Sequence, residues 1–270
     1  MAVTETGTSG SVADDSEQAR RGGTAVWSPS VSPPIGVDLT PEQALACSFR
    51  ILANDGFSEN MAGHITWQLP GQTDLLVNPW GLWWSEMTAS DVCVVDEDAN
   101  VVSGRWDVTP AIHIHTELHR VRPDARVVIH NHPYYVSVMA ALGQLPALVH
   151  QTGSLFLDDL CFVEEYDGEI DSPVLAADLA QRIGSAKVAL LASHGVIVTG
   201  ATIEEATYRA ASIDRACHLA YDVLVTGREP LEMNRAAMIG MKASLDERAA
   251  AVHWAGAVRT LLAAAPETLA

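Results

Sequence analysis

The sequence predicts an α/β or α+β domain, a sheet with helices on both faces. Short apolar runs of strand length recur, as in AGHITWQL, DVCVVD, RVVIHNH and KVALLASHGVIVTG. Segments with helical periodicity and capping signals stand between and after them. No internal repeat is present, which sets aside solenoids and propellers. Strands interspersed with helices fit a layered domain around one sheet.

Taken in order, residues 1 to about 37 are rich in Ser, Thr, Gly, Pro and charge. They read as a flexible N-terminal arm. Residues 38–270 read as a single domain with C-terminal helices. Its first helix is signalled by DLTPEQALACSFRILANDG, with Thr40 as cap, Pro41 in the first turn, Gln43 at the capping-box position and Gly56 beyond the last turn. AGHITWQL and TDLLVNP read as paired strands, and DVCVVD as a third, closed by EDAN. TPAIHIHTELHRVRPD reads as a helix with an apolar stripe of Ala111, Ile114, Leu118 and Val121. RVVIHNH is a strand ended by Pro133, which cannot continue a ladder, and a helix follows. KVALLASHGVIVTG reads as two strands broken at Ser193–Gly195. A long helix runs from a Thr202 cap to a Gly227 stop, and a last helical region starts near Leu231.

Composition narrows the class. The chain has 270 residues, 48% of them hydrophobic, enough for a sizeable core. Its 34 acidic against 16 basic residues give a formal charge of −18, which argues against nucleic acid or an anionic membrane as partner. No apolar stretch is long enough to span a bilayer, and no basic start followed by an apolar run marks a secretory signal. Cys47, Cys93, Cys161 and Cys217 stand far apart without Cys-x-x-Cys spacing, as reduced cysteines of a cytoplasmic protein do.

The chemistry is expected among the histidines. In a strand, residues i and i+2 share a face, so His130 and His132 would project together from a strand end. That is an address for metal ligands or catalysts; one exposed and one core histidine is the alternative. His194 stands where another buried strand ends, with Gly195 beside it for a turn or a close approach. A buried histidine needs a partner, and a metal is one. Three imidazoles would leave coordination positions open for substrate, water or dioxygen. Spacing alone does not bring His194 to the pair.

The pieces AGHIT, LLVNPWG, TASDVCVVDEDANVVSG, IHTELHRVRPDARVVIHNH and LLASHGVIVTGATIEEA, in this order, resemble the class II aldolase/adducin family over roughly residues 40 to 226. The resemblance implies a three-layer α/β/α sandwich around a mixed, mostly antiparallel sheet. It implies one divalent metal on His130, His132 and His194. It also implies a homotetramer with active sites near subunit boundaries.

The chain departs from the family's sugar-phosphate aldolases. Their catalytic glutamate, counted back from RPD, falls on Ala111, behind Thr109 and Pro110. Alanine neither ligates a metal nor moves a proton. His115, one turn on, is a candidate fourth ligand or acid/base substitute, or else a structural histidine. His113 and His119 read as surface or rim residues. Gly63-His64 replaces a Gly-Asn, and Trp80-Gly81 a Thr-Gly, of the phosphate site. Phosphate wants small residues, N–H groups and cations. Trp80, Trp83 and Trp84 offer instead an aromatic pocket wall, or filling for an interface or core. His64, Trp80, Trp83, Thr109 and Ala111 are therefore the expected substrate contacts.

These departures resemble a branch of the family, the non-haem iron oxygenases of aminocoumarin antibiotic pathways. That resemblance implies Fe(II), with dioxygen as co-substrate and an aromatic 2-oxo acid as the small-molecule partner. A prenylated 4-hydroxyphenylpyruvate would pass through the mandelate to the 4-hydroxybenzoate. Two other readings stand beside it. One is a metal-dependent lyase or decarboxylase on a non-phosphorylated acid, with Zn(II) on the same histidines. The other is an adducin-like module without chemistry.

Overall fold

The first helix, α1 (Pro41–Asn54), opens on the expected capping box. Thr40 Oγ1 accepts from the Gln43 N–H at 3.3 Å, and Gln43 Oε1 accepts from the Thr40 N–H at 3.0 Å. Two donors that a helix start leaves unpaired are thereby satisfied. The computed structural model describes residues 31–165, 168 and 170–270. The expected arm therefore lies outside the described residues up to residue 30. From Pro33 on the chain is tied down: Arg259 donates to the carbonyls of Pro33 and Pro34, at 2.8 and 3.2 Å, and Ile35 and Leu39 pack on the core.

Eight strands among the described residues make one sheet. They are β1 (His64–Gln68), β2 (Leu75–Val77), β3 (Cys93–Val95), β4 (Val101–Ser103), β5 (Val127–Asn131), β6 (Leu160–Val163), β7 (Val188–Leu191) and β8 (Val196–Gly200). The order is β4-β3-β2-β1-β5-β8-β7-β6, antiparallel throughout except for β6 and β7. The helices after α1 are α2 (His113–Val121), α3 (Tyr134–Ala141), α4 (Pro173–Ile183), α5 (Ile203–Val225) and α6 (Arg235–Ala264).

Strand alternation sorts these helices into two layers. On β5, Val127 and Ile129 enter a large core with Phe49 of α1, Met139 of α3, Ile213 of α5 and Val258 of α6. Val128 enters a smaller core with Leu118 of α2 and Leu179 of α4. The result is a three-layer α/β/α sandwich around a mixed, mostly antiparallel sheet. Each fully buried side chain of this kind contributes about 1.5–3 kcal/mol. His130 follows Val128 by two residues and so faces the α2–α4 layer.

The structure corrects several local expectations. The segment read as one helix over residues 109–124 begins as a 3-10 turn, Pro110–Ile112, and becomes α2 at His113. Val121 is exposed, because α2 ends there before Pro123. Its inward arc instead holds Ile114, His115, Leu118 and His119, so His119 is buried rather than at the surface. The last helix starts at Arg235 under an Asn234 cap, not near Leu231. β6, α4 and the 3-10 turn Gln151–Phe156 were not read from the sequence; each is short and weakly patterned.

The RPD motif turns out to be a clamp. Arg122 donates to the carbonyls of Gly184 and Ala186 at 2.6 and 3.1 Å, just past α4, and pairs with Asp124. It ties the end of α2 to the start of β7. The four cysteines are free, and Cys161 alone is only half-buried. No helix among the described residues is long and apolar enough to cross a membrane.

Candidate metal centre and cleft

Two strand ends and one hairpin turn build the centre. β5 stops at Asn131, whose Oδ1 accepts the His132 N–H at 2.7 Å. The β7–β8 hairpin turns with Ser193 at φ +52° and with the Leu191 N–H donating to Gly195 O at 2.8 Å. Gly195 is needed for close approach. A Cβ there would stand 2.4 Å from Asn131 O and 2.5 Å from His132 Cδ2. With that contact made, the rings of His130 and His132 are each 4.8 Å from the His194 ring. One ring nitrogen from each of the three lies within 4.8 Å of the others.

The hydrogen bonds behind the rings fix which nitrogens converge. His130 Nδ1 donates to Val196 O at 3.0 Å, and His132 Nδ1 donates to Glu59 Oε2 at 2.7 Å. Their Nε2 atoms then carry lone pairs and face each other at 3.2 Å. Two such lone pairs repel, and a cation between them removes the repulsion. Burial, reinforced by the neighbouring histidines, holds His130 well below the ordinary imidazole range and His194 at about 4. Both are neutral at pH 7, the ligating form. Three convergent imidazoles fit Fe(II) or Zn(II).

A cleft of about 390 Å³ opens on this cluster. His64, Trp80, Thr109 and Ala111 line it, together with apolar Met61, Ile114 and Ile170. Among the described residues no Lys, Arg, Asp or Glu contributes to its wall. The tryptophans divide. Trp80, 60% exposed, stands at the rim of the cleft, whereas Trp83, 50% exposed, is not in the wall, a correction to its expected role. Trp84 is core, edge-on to Phe49 at 4.9 Å, with its N–H donating to Gly63 O at 3.3 Å.

His115 is fully buried and does not line the cleft. Its Nε2 lies 2.6 Å from His64 Nδ1, so His64 stands between it and the cluster. A fourth ligand from this position is therefore not what the geometry provides. Beyond His115 the chain of contacts continues. His115 Nδ1 is 2.7 Å from Thr66 Oγ1, which is 2.8 Å from His119 Nε2. Burial brings His64 to about 3 and His119 to about 4, and pushes His115 well down.

Two of these participants were not read from the sequence. Glu59 sits in a loop with no motif spacing, and only the fold brings it to His132. Thr66 had a signal: it follows His64 by two residues on a strand and so shares its face.

The chain matches the family model described as "Class II Aldolase and Adducin N-terminal domain" over residues 43–221. A curated relative from Streptomyces roseochromogenus subsp. oscitans, "4-hydroxy-3-prenylphenylpyruvate oxygenase/4-hydroxy-3-prenylbenzoate synthase", is 31% identical over 73% of this chain and 73% of its own length. A "3,4-dihydroxyphthalate decarboxylase" of Arthrobacter keyseri is 30% identical, over 68% of this chain and 79% of its own. Among solved structures, the L-fuculose 1-phosphate aldolase from Glaciozyma antarctica PI12 superposes with a TM-score of 0.75. It is 21% identical and covers 93% of this chain and 98% of its own, a likeness of fold.

Proposed function

Because this chain belongs to the class II aldolase and adducin family, we propose that it is an Fe(II)- and dioxygen-dependent oxidative decarboxylase of an aromatic 2-oxo acid. The acid is a 4-hydroxyphenylpyruvate, prenylated on the ring, taken through the mandelate to the 4-hydroxybenzoate. The observation that carries this reading is the composition of the cleft. Three imidazoles converge there, apolar Met61, Ile114 and Ile170 share the wall, and no described cation is there to hold a phosphate. The relative from Streptomyces supports it.

In this reading His130, His132 and His194 hold the metal. Bound there, Fe(II) supplies the dioxygen activation that the side chains lack. The oxo-acid end of the substrate lies toward the histidines, with its ring on Trp80, Met61, Ile114 and Ile170. Thr109 Oγ1 already accepts the Ala111 N–H at 3.3 Å, so its own proton is free for the substrate carboxylate. Ala111 keeps the space beside the metal open. His64, in the cleft wall with its ring 5.2 Å from that of His130, takes any proton that moves. His115 acts only through it. Exposed Trp83 and Trp106 support a homotetramer in which neighbouring subunits cover them.

A second reading, an oxygen-independent decarboxylase or lyase using Zn(II), is supported by the Arthrobacter relative. An adducin-like module without chemistry has no use for a carboxylate placed behind a convergent imidazole. Protein purified without oxygen, loaded with Fe(II) or Zn(II), and given 4-hydroxyphenylpyruvates with and without a prenyl group separates these. The expected result is carbon dioxide release and label uptake from labelled dioxygen with Fe(II) alone. Turnover by the zinc form without oxygen establishes the second reading instead.

A further inference from the structure

We propose that Met61 is an oxidation site of this protein. With iron on the histidine triad, hydrogen peroxide gives one oxygen to the Met61 thioether, and the sulfoxide makes an apolar part of the cleft wall polar. The oxidation rests on metal binding by the triad and not on which acid is the substrate.

Met61 enters the cleft from a tight turn before β1. The turn closes with the Ala62 N–H donating to Glu59 O at 2.8 Å, and Asn60 inside it is left-handed, with φ +50°. Both flanks of the turn are fixed against the segment that carries two of the ligands. On one flank Glu59 Oε2 accepts from His132 Nδ1 at 2.7 Å. On the other, a Cβ at Gly63 would stand 2.6 Å from both His130 O and Asn131 Cγ, so the backbone passes close there. Met61 is two residues from each of these anchors. It shares the cleft wall with His130, His132 and His194, and it is 48% exposed.

The other described sulfur atoms are placed differently. Met87, Met139 and Met238 are buried. Met233, just before α6, and Met241, within it, are half-buried and do not line the cleft. None of the four cysteines lines it either. Exposure alone thus opens Met61, Met233 and Met241 to peroxide. Among the described residues, Met61 is the one thioether that shares a cleft with the triad.

The step balances. An S–O bond forms at Met61 Sδ as the O–O bond of the peroxide breaks, and the second oxygen leaves as water with both peroxide protons. The sulfur loses two electrons and the peroxide gains them, so no iron is consumed. Fe(II) supplies the activation of the peroxide, which Zn(II), without redox chemistry, does not. A flexible apolar side chain becomes a polar one beside Ile114 and Ile170 in the wall. An aryl group buried there then meets a polar group without a partner. Sulfoxide reductases return the thioether, so the change is reversible.

The test is peptide mass spectrometry after brief exposure of the full chain to isotopically labelled hydrogen peroxide, in the metal-free, Zn(II)-loaded and Fe(II)-loaded forms. Met233 and Met241 serve as internal references. In the iron form Met61 should take up label about tenfold faster than either, since susceptibility there is set by the metal as well as by exposure. In the metal-free and zinc forms that advantage should vanish. Calorimetry on the oxidised protein, exchanged to Zn(II), should show about tenfold weaker binding of prenylated 4-hydroxyphenylpyruvate. Methionine sulfoxide reductase should restore it. Equal rates at the three methionines in the iron form overturn the proposal. So does the same Met61 advantage without metal, or label on the ligand histidines or Trp80 with Met61 intact. Labelled Met61 with unchanged affinity overturns its effect on the cleft. The expected labelling in a protein that neither binds nor turns over that acid supports the oxidation site and counts against the reaction alone.

Discussion

Glu59 Oε2 lies 2.7 Å from His132 Nδ1, across 73 positions of sequence, and sets which nitrogen of that ring faces the cluster. Partners of this kind behind a metal ligand typically account for ten- to a hundredfold in metal affinity. Glu59→Ala should weaken Zn(II) binding by about that factor, and Glu59→Gln by less, since the amide oxygen still accepts the hydrogen bond. A competition titration against a chelator measures both. Unchanged affinity in Glu59→Ala would remove Glu59 from the site.

His130→Ala, His132→Ala and His194→Ala should each abolish stoichiometric metal while far-ultraviolet circular dichroism stays native. The apolar strands around the ligands, not the ligands, hold the fold. Gly195→Ala should fail differently. Its Cβ meets backbone at Asn131, so the hairpin must shift. Both metal content and melting temperature should fall. Retention of metal by two of the three histidine variants excludes the triad.

Trp80 and Trp83 are both exposed, but only Trp80 borders the cleft. Trp80→Ala should weaken binding of a prenylated aryl acid by about tenfold, or about 1.4 kcal/mol, and leave pyruvate binding nearly unchanged. Trp83→Ala should alter neither. Calorimetry with both acids gives the comparison, and equal losses for the two would make Trp80 structural.

Ala111→Glu places a carboxylate at the wall of the cleft. It should crowd the open side of the metal and lower Fe(II)-dependent oxygen uptake several-fold. A rise in oxygen uptake would contradict the assigned space for substrate at Ala111.

Acid should destabilise the metal-free protein. His64 and His119 titrate near 6.5 when unfolded and are lowered by burial to about 3 and about 4 in the fold. Below pH 6.5 the unfolded chain therefore binds protons that the folded chain refuses, so stability falls as pH falls. Each histidine contributes a slope of up to about 1.4 kcal/mol per pH unit. The window runs from 6.5 down to about 4 for His119 and to about 3 for His64. Melting temperatures from pH 7.5 to 4.5 should drop steeply below 6.5, and Zn(II) should shift the drop to lower pH. A flat profile would mean that these rings take up protons without unfolding.

Much of this protein was legible in the sequence. The capping box at Thr40 and Gln43, the period-two strands and the stop at Pro133 are local signals, decided by residues within a few positions of each other. The motif order over residues 40–226 likewise led to the family fold, with His130 and His132 on one strand end. Only the tertiary structure decided which groups meet. His194 reaches the pair because β5 and β8 are neighbours and Gly195 admits His132. Glu59 arrives from a loop with no pattern. His119, expected at the surface, turns inward beside His115, and Thr66 of the sheet bonds both. Trp83 and Trp84 are adjacent in sequence, yet one is exposed and the other is core. Side-chain periodicity fixes a direction relative to the local element. What lies in that direction is set by the packing of elements distant in sequence, and the chemistry of the site depends on that second fact.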